Sequence, residues 1–422
     1  MSSPPQSPPQ NPTSMFSPPQ KPAAKTQFSD ILEDIILCEI LPRLPVKSLF
    51  RFKSVSTKWR SVISDPQFAK THFTHLSSLS SRSVLTLDYS SNFEALDYGD
   101  FNLDYEDFNL VFSRFGRNTR IIASDNLDFS KPNNSPFNSL VDSCKGLALL
   151  VPDYCFNSDF RFVVYNPVLG HHAFIEIQHP QGLHVPNEQL TYENLSFGFG
   201  YVSSHKDYYI VAIKFPQCLT RPESVAFVYS LKTREWKTKE TPRKDQENRL
   251  VLQDYWVNRI GVLLKETLHW GIAIGQDKCI LVFDLATQEG FTKMELPHAN
   301  FGEGVNFAFS LCCLNDCLCA WGIYEDGDVV EMCMMKEYGV QESWTKLFHQ
   351  RLDDYYCRDF FGFTKSEWVL VFKSRDELML ADFSRDPPET LLVPNFDDKV
   401  SVVEYVQSLV SPLAVTGREE DG

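Results

Sequence analysis

Two patterns of apolar positions divide the chain. Between residues 28 and 75, apolar residues recur three or four positions apart, as on one face of a helix. Beyond about residue 76 they alternate with polar residues in short runs rich in Val, Ile, Phe and Tyr, which is typical of β-strands bounded by turns. Such runs cover residues 146–151, 162–165, 208–214, 225–231, 280–285 and 369–372. The pattern predicts a small helical domain followed by a much larger, nearly all-β domain.

The helical part predicts three helices. The apolar face of the first helix consists of Leu32, Ile35, Ile36 and Ile40. Pro42 and Pro45 should end this helix, and two shorter helices follow at residues 46–53 and 56–63. Three helices of this length enclose only a very small core. Such a unit tends to leave apolar residues exposed for a partner.

The β part contains a repeat with a period of 50 residues. Lys265-Glu266, Asn315-Asp316 and Lys365-Ser366 are turns that each precede a strand, and another strand follows 11 to 14 residues after each copy. Aromatic residues such as Tyr229 and Trp236 close the unit after a polar turn. A period of about 50 with several strands per unit is typical of kelch-type propeller blades, and the β part has room for about six to eight of them.

The helical segment resembles the F-box in its plant form. The resemblance is carried by Leu44-Pro45-Val46-Lys47-Ser48-Leu49, Arg51-Phe52, Val55, Trp59-Arg60, Ile63 and Asp65-Pro66-Gln67-Phe68. Two departures concern the first helix. The family usually opens with Leu-Pro, whereas Leu32 stands where the proline is expected, and the helix is one residue longer before Leu44.

Residues 140–390 resemble the kelch-like region associated with the F-box in plant proteins. The matching segments are Ser143–Leu147 with Tyr165–Gly170, Phe197–Tyr201 with Asp207–Tyr209, and Val228–Trp236. The resemblance implies an α+β multidomain protein, in which a small three-helix F-box precedes a mainly antiparallel, kelch-like β-propeller. The expected division is a disordered Pro-rich tail (1–27), the F-box (28–75), the propeller-like substrate-binding domain (76–410) and a C-terminal tail (411–422).

The resemblance also implies a function. A protein of this kind is a non-catalytic substrate-recognition subunit of a Skp–cullin–F-box ubiquitin ligase. It binds the Skp-family adaptor, and through it cullin, and presents a target protein for ubiquitination and proteasomal degradation. The residues that the resemblance assigns to adaptor binding are Leu32, Ile35, Ile36, Leu44, Pro45, Leu49, Phe52, Val55, Trp59 and Ile63. In so small a bundle several of these must be core, Trp59 and Val55 especially. A propeller that binds a ligand or glycan, with a secondary F-box, is the alternative.

Composition excludes several other functions. The 422 residues include 40 Lys and Arg against 55 Asp and Glu, for a net charge of −15. This acid excess argues against nucleic acid as a partner, because phosphate binding needs a cationic surface. No apolar run approaches the roughly 18 residues of a membrane-spanning helix, and residues 1–27 contain no secretory signal. We therefore expect a protein of the cytoplasm, the nucleus or both.

The sequence contains no recognisable catalytic, nucleotide-binding or metal-binding motif. Cys312, Cys313, Cys317 and Cys319 are close together but lack the paired knuckles of a zinc site, and their alternation around Asn315-Asp316 predicts a hairpin. Phe197-Gly198-Phe199-Gly200 predicts a strand whose glycines allow close backbone approach. His171-His172 are expected in a surface loop. No nucleotide-binding, hydrolase or metalloprotease motif occurs, so we expect no metal, no cofactor and no enzymatic activity.

Charge is distributed unevenly along the chain. Residues 1–27 carry +2 and residues 28–75 carry +2, which leaves −19 on the remainder. The basic residues predicted to surround the adaptor surface are Lys47, Arg51, Lys53, Lys58 and Arg60.

Residues 96–102 and 103–109 form an acidic, aromatic tandem heptad, which is either an expanded loop or a docking surface for a target with a basic surface. The candidate docking residues are Tyr98, Asp100, Phe101, Tyr105, Asp107 and Phe108.

Overall fold

A computed structural model defines the fold of the chain. It describes residues 33–75, 82–88, 93–97, 138–152, 161–176, 195–214, 225–240, 255–274, 277–297, 301, 309–323, 329–351, 357–363, 369–374, 377–382, 389–392 and 399–417. The Pro-rich segment 1–27 and most of the acidic heptads lie outside these residues.

The helical domain begins with a helix that changes its winding. Helix α1 covers residues 33–40, and its second half, Ile36–Ile40, is a π-helix in which the Leu41 amide bonds the Ile36 carbonyl oxygen. A 3₁₀ turn, Leu41–Arg43, follows, so the helical path continues through Pro42 and ends before Pro45. The wider π turn places Leu37 in the core and leaves Ile35 and Ile40 exposed. The predicted apolar face of α1 therefore divides between core and surface, with Ile36 partly buried and Ile35 and Ile40 exposed.

Three further helices complete the domain: α2 (Val46–Phe52), α3 (Thr57–Ser64) and α4 (Pro66–His75). The first two confirm the prediction to within one residue at each end. Ser56 caps α3 by accepting a hydrogen bond from the Trp59 amide at 3.1 Å. Helix α4 was not predicted. Asp65-Pro66 ends α3, but Asp65 also accepts a hydrogen bond from the Gln67 amide at 2.6 Å and Pro66 occupies the first helical position, which starts the next helix.

The remaining described residues are almost entirely β-strands, as predicted. They form six antiparallel sheets. In pairing order, the first sheet contains β2 (Phe93–Asp97), β1 (Arg82–Asp88) and β24 (Lys399–Val406), and the second contains β3 (Asn138–Cys144), β4 (Leu147–Pro152), β5 (Arg161–Asn166) and β6 (His171–Glu176). The third contains β7 (Leu195–Val202), β8 (Asp207–Lys214), β9 (Val225–Ser230) and β10 (Glu235–Glu240), and in the fourth β11 (Tyr255–Val257) and β12 (Val262–Leu264) lie beside β13 (Thr267–Ile274), β14 (Asp277–Asp284) and β15 (Phe291–Met294). The fifth contains β16 (Ser310–Leu314), β17 (Cys317–Ile323), β18 (Val329–Met335) and β19 (Trp344–Arg351), and the sixth contains β20 (Cys357–Phe363), β21 (Val369–Ser374), β22 (Glu377–Asp382) and β23 (Glu389–Leu392).

The sheets contact one another in a circular order. Strand β24 contacts β3, β3 contacts β7, β7 contacts β12, β12 contacts β16, β16 contacts β20, and β20 contacts β24. The first sheet is completed by a strand from each end of the domain, because β24 pairs with β1. This arrangement is that of a propeller-like domain, and the six sheets lie at the lower end of the predicted range of blades.

The predicted 50-residue repeat is confirmed at its first two copies. Lys265-Glu266 and Asn315-Asp316 are two-residue turns with positive φ at both positions, and so is Lys145-Gly146 at the equivalent point of an earlier sheet. Such turns match the right-handed twist of the strands that they join. The aromatic closing pairs are also present: the Tyr229 and Trp236 rings lie 4.8 Å apart. Lys365-Ser366 lies outside the described residues.

The core of the domain lies between successive sheets. Among the described residues, five of the six neighbouring pairs of sheets share an apolar cluster. Trp270, which is fully buried, lies between the sheet of β7–β10 and that of β11–β15. The predicted close approach at Gly198 is confirmed, since a Cβ atom there would lie 2.7 Å from Leu268 and 2.9 Å from the Trp270 ring. The Cys312–Cys319 segment is the predicted hairpin, with Cys312 opposite Cys319. His171 and His172 begin strand β6, so their predicted loop position was wrong.

The chain enters and leaves the propeller-like domain on one face. Arg82 begins β1 soon after the helices and pairs with Val406, the last residue of β24. Residues 407–411 and a short helix, α5 (Pro412–Thr416), then pack over the neighbouring sheet, against β5 and β6. The expected C-terminal tail from residue 411 is therefore packed as far as Gly417.

Candidate interaction surface of the helical domain

The helical domain exposes large apolar side chains that its own core does not use. Ile35, Ile40, Phe50 and Val55 are 47%, 47%, 38% and 58% exposed. Among the described residues only seven large apolar side chains are this exposed, and these four belong to the smaller of the two domains. A concentration of exposed apolar residues on a small domain indicates a surface for a protein partner.

A compact core positions these side chains. Its buried members in the helices are Leu37, Leu41, Val46, Leu49, Ile63, Phe68 and Ala69. Phe52 and Trp59 are partly buried against this core, and their rings meet edge to face at 5.5 Å. Lys58 on α3 also forms an ion pair with Glu33 on α1 at 3.0 Å. The exposed residues are therefore displayed by helices whose relative positions are fixed by packing.

His72 on α4 contacts the backbone just before helix α2. Its side chain is fully buried, and Nε2 lies 2.8 Å from the Leu44 carbonyl oxygen, to which it donates. Nδ1 is buried without a hydrogen-bond partner, as expected for a neutral ring. Burial lowers the pKa of His72 below its ordinary value of 6.5, and the nearby His75 lowers it further, although the bond to Leu44 acts in the opposite direction.

The lowered pKa predicts that acid destabilises the protein through His72. The unfolded chain takes up this proton near the ordinary histidine pKa, whereas the folded chain resists it to lower pH. The free energy of unfolding therefore falls as the pH drops below about 6.5. His72→Gln keeps a donor for Leu44 and removes the titration. Urea unfolding at about pH 7.5 and about pH 5.5 should show a smaller loss of stability for this variant than for the unsubstituted chain. Equal losses would contradict the assignment, and His205→Gln, at an exposed histidine of the propeller, is the control.

Comparison with known families assigns both domains. The F-box domain family matches residues 30–71, which include all four helices except the end of α4. The F-box associated beta propeller domain family matches residues 103–412, more than half of the chain. The chain belongs to the F-box associated beta propeller family. The match covers strands β3 to β24, while β1 and β2 precede it, and the helical domain is the F-box.

Two plant relatives match most of this chain. The F-box protein CPR1 of Arabidopsis thaliana is 26% identical over 398 residues, covering 90% of this chain and 88% of the relative. The F-box/kelch-repeat protein At3g23880 of the same plant is 26% identical over 310 residues, covering 73% and 76%. An F-box joined to this type of propeller supports a substrate-recognition role in Skp–cullin–F-box complexes in general, and neither the families nor these relatives indicate an enzymatic family.

The structure distributes the ten predicted adaptor-binding residues over three environments. Ile35, Pro45 and Val55 are exposed, and Leu32 lies outside the described residues. Those partly buried are Ile36, Leu44, Phe52 and Trp59. Leu49 and Ile63 are fully buried in the F-box core, so they support the surface from beneath. The core position expected for Val55 is wrong: its side chain is 58% exposed, because it lies in the turn between α2 and α3.

Two exposed residues do not belong to the predicted adaptor-binding set. Ile40 is part of the predicted apolar face of α1, whereas Phe50 is part of no predicted face, because the helical spacing in α2 points to Leu49 and Phe52. Adjacent residues of a helix point about 100° apart, so a pair such as Leu49-Phe50 must divide between core and surface. A helix of seven residues is too short for its pattern to show which of the two faces inward.

The basic residues of the F-box are partly committed to internal contacts. Lys58 pairs with Glu33, and the Lys53 ammonium lies 5.2 Å from the centre of the Phe50 ring. Arg60 donates to the Lys53 carbonyl oxygen at 3.2 Å. Arg51 is exposed, and the side chain of Lys47 is outside what the structure describes. The basic residues predicted to surround the adaptor surface therefore also help to hold the exposed apolar residues in place.

Several ionisable groups of the propeller have shifted pKa values. Burial raises the pKa of the Cys144 and Cys333 thiols to about 12, which keeps both protonated. Burial, opposed by the Ser143 amide and aided by Glu404, raises the pKa of Asp142 to about 8. Glu331 is buried and paired with Lys346 and His349, each at 3.1 Å. Within the described residues, no cluster of three metal-ligating side chains occurs, and no helix is long and apolar enough to cross a membrane.

The predicted docking residues cannot be placed. Tyr98, Asp100, Phe101, Tyr105, Asp107 and Phe108 lie outside the described residues. The heptads begin at Leu96 and Asp97, the last residues of β2. Asp97 pairs with Ser83, which also pairs with Tyr405 near the end of β24. The chain therefore leaves β2 on the face of the propeller where the F-box is attached.

Proposed function

We propose that this chain is the substrate-recognition subunit of a Skp–cullin–F-box ubiquitin ligase. The F-box binds a Skp-family adaptor and, through it, cullin, while the propeller holds a target protein that is then ubiquitinated and degraded by the proteasome. The chain itself breaks no bond. It contributes by bringing the target to the ubiquitin-charged enzyme in a fixed orientation.

One observation supports this function above the others. The F-box retains four exposed large apolar side chains although it is already packed against the propeller through a shared core cluster. Contact with the chain's own propeller therefore does not account for them. A separate partner that covers this surface would remove them from water. Because these side chains are 38% to 58% exposed, each would gain about half of the roughly 1.5–3 kcal/mol of a fully exposed side chain of this size.

Binding to a purified Skp-family adaptor tests the proposal directly. The full chain and the adaptor should elute as one complex in size-exclusion chromatography, and cullin should join them to form a ternary complex. A chain that fails to bind any member of the adaptor family would contradict the proposal. Fluorescence imaging of the tagged chain in cells would check the expected position in the cytoplasm and nucleus.

For the target we propose docking on the acidic heptads, because the chain beyond the F-box carries −19 and these heptads combine acids with aromatic residues. Deleting residues 96–109 would also remove the end of β2. Substitution is therefore the sharper test: Asp100→Lys with Asp107→Lys should reduce the set of captured basic proteins and leave adaptor binding intact. An unchanged set would count against docking at this segment. Glu235→Lys with Glu289→Lys is the control for the same change of charge elsewhere on the propeller.

A further inference from the structure

The residues that follow β24 form a segment that takes no part in the pairing of β24 with β1. Strand β24 completes its pairing with β1 at Val406. The next eleven residues, 407–417, here called the C-terminal strap, continue across the sheets of β3–β6 and β7–β10. Each stretch of the strap is held by a side chain from a different part of the propeller. So many dedicated contacts on a segment outside the sheets indicate a role for the segment itself.

Asn166 holds the first part of the strap. It is fully buried at the end of β5, and its Nδ2 donates to the carbonyl oxygens of Ser408 at 3.0 Å and Val410 at 2.7 Å. Its Oδ1 accepts from the Val168 amide at 2.8 Å, which fixes the orientation of the amide group. A single side chain thus binds the strap with one end and its own turn with the other.

Gly146 allows the strap to approach the sheet of β3–β6 closely. Its φ is +77°, and a Cβ atom at this position would lie 2.0 Å from the Ser408 hydroxyl oxygen. Only glycine has both the conformation and the space required. The Tyr405 hydroxyl also donates to the Gly146 carbonyl oxygen at 3.2 Å, so the strand and the strap are both fixed to this turn.

Arg234 holds the far end. Its guanidinium donates from Nε to the Thr416 carbonyl oxygen at 2.5 Å and from Nη2 to the Gly417 carbonyl oxygen at 2.7 Å. These are the last carbonyls of helix α5, where a cation is favourable. Between the two ends, the Ser411 hydroxyl lies 3.3 Å from His171 Nδ1.

The start of the strap belongs to the same core as the F-box. Leu409 is 7% exposed and lies in the cluster that contains Leu37 and Phe68 of the F-box together with Leu140 and Tyr405 of the propeller. The adjacent turn makes a second connection. The Lys145 ammonium lies 4.1 Å from the centre of the Tyr201 ring of the propeller and 5.8 Å from that of Phe73 on α4. The F-box therefore packs where the strap leaves β24.

We infer that the C-terminal strap couples the F-box to the propeller and sets its position, so that adaptor binding at one end of the chain depends on the other end. Leu409 acts as a positioning residue, and Asn166 and Arg234 hold the strap that carries it. A displaced strap would free α4 from one side and leave the six sheets paired. The dependence of adaptor binding rests on the proposed function. The effect on α4 does not.

Three variants of the full chain test the coupling, each with hydrogen exchange and adaptor binding as readouts. Leu409→Asp removes the apolar contact, Asn166→Asp removes the two donors and keeps the acceptors, and Arg234→Ala releases the far end through an exposed side chain. We expect amides of α4 to exchange about tenfold faster in the first two variants. Adaptor affinity should fall by roughly tenfold, within the usual range for coupled sites. Ala414→Asp makes a matched change at an exposed position of the same strap and should alter neither.

The outcomes separate this inference from the proposed function. Unchanged exchange in α4 for both Leu409→Asp and Asn166→Asp would overturn the coupling. Faster exchange that extends to β16–β19, on the other side of the propeller, would also overturn it, because the strap would then be a general stabilising element. If the unsubstituted chain binds no adaptor, the proposed function fails, and exchange in α4 still decides whether the strap positions the F-box. Arg234→Ala should also accelerate hydrogen exchange in α4, by a smaller factor. Exchange rates equal to those of Ala414→Asp would contradict a role for the hydrogen bonds of Arg234 in holding the strap at Gly417.

Discussion

Replacing Ile35 and Val55 together by aspartate is expected to abolish adaptor binding while the protein remains folded. The two side chains are 47% and 58% exposed, so the substitutions should cost the fold little. In a covered interface each would bury a charge against apolar residues. A central apolar anchor typically contributes about 2 kcal/mol or more, so losing two predicts a fall in affinity of at least roughly a thousandfold. Calorimetry or surface plasmon resonance with purified adaptor would measure it.

A matched control separates this effect from a general cost of adding acids to an acidic protein. Phe174 and Leu347 on the propeller are 37% and 38% exposed, close to the exposure of Phe50 in the F-box. Phe174→Asp with Leu347→Asp should leave adaptor affinity within about twofold, because substitutions outside an interface change little. Binding that survives Ile35→Asp with Val55→Asp would mean that the exposed apolar residues of the F-box are not the adaptor surface.

The largest effect on stability is expected at Trp270. Its side chain is fully buried between two sheets, and its Nε1 donates to the Phe197 carbonyl oxygen at 3.2 Å. Gly198 and Gly261 form a slot for the ring, since Cβ atoms there would lie 2.9 Å and 2.4 Å from it. Trp270→Ala should therefore lower the free energy of unfolding by about 3–5 kcal/mol, the usual cost of removing a buried aromatic side chain.

Denaturant unfolding monitored by circular dichroism would measure this loss. Gly261→Ala should also destabilise the propeller, because the added methyl group meets the ring rather than open space. Leu347→Ala, at an exposed position of β19, is the control and should change stability by less than about 0.5 kcal/mol. A Trp270→Ala chain that unfolds at the same denaturant concentration as the control would show that the two sheets do not depend on this contact.

Local sequence signals predicted most of the elements. Val, Ile, Phe and Tyr in short runs between polar turns identified strands such as β8 and β14, because the two-residue period is a property of the strand itself. Turns such as Asn315-Asp316 were recognisable for the same reason, since their residue types tolerate positive φ. Helix α4 was not predicted because Asp65-Pro66 can either end one helix or start the next, and these residue types alone do not distinguish the two.

Burial within the F-box was harder to predict. A short helix offers two or three candidate faces, and which one turns inward depends on the helices that pack against it. The π turn of α1 moved Leu37 inward and Ile40 outward, and Val55 was exposed by its place in a turn. Ile35 and Val55, half of the exposed set, could therefore be named from the sequence, whereas Ile40 and Phe50 emerge only from the packing.

The sequence by itself determined the order of the domains, the β-repeat and the family, because strand period, turn chemistry and the F-box motif are all local properties. Only the tertiary structure decided which apolar residues face water, how β24 closes onto β1, and that the C-terminal strap shares a core with the F-box. These features join residues far apart in the chain. Their stability comes from packing and hydrogen bonds that no local pattern records.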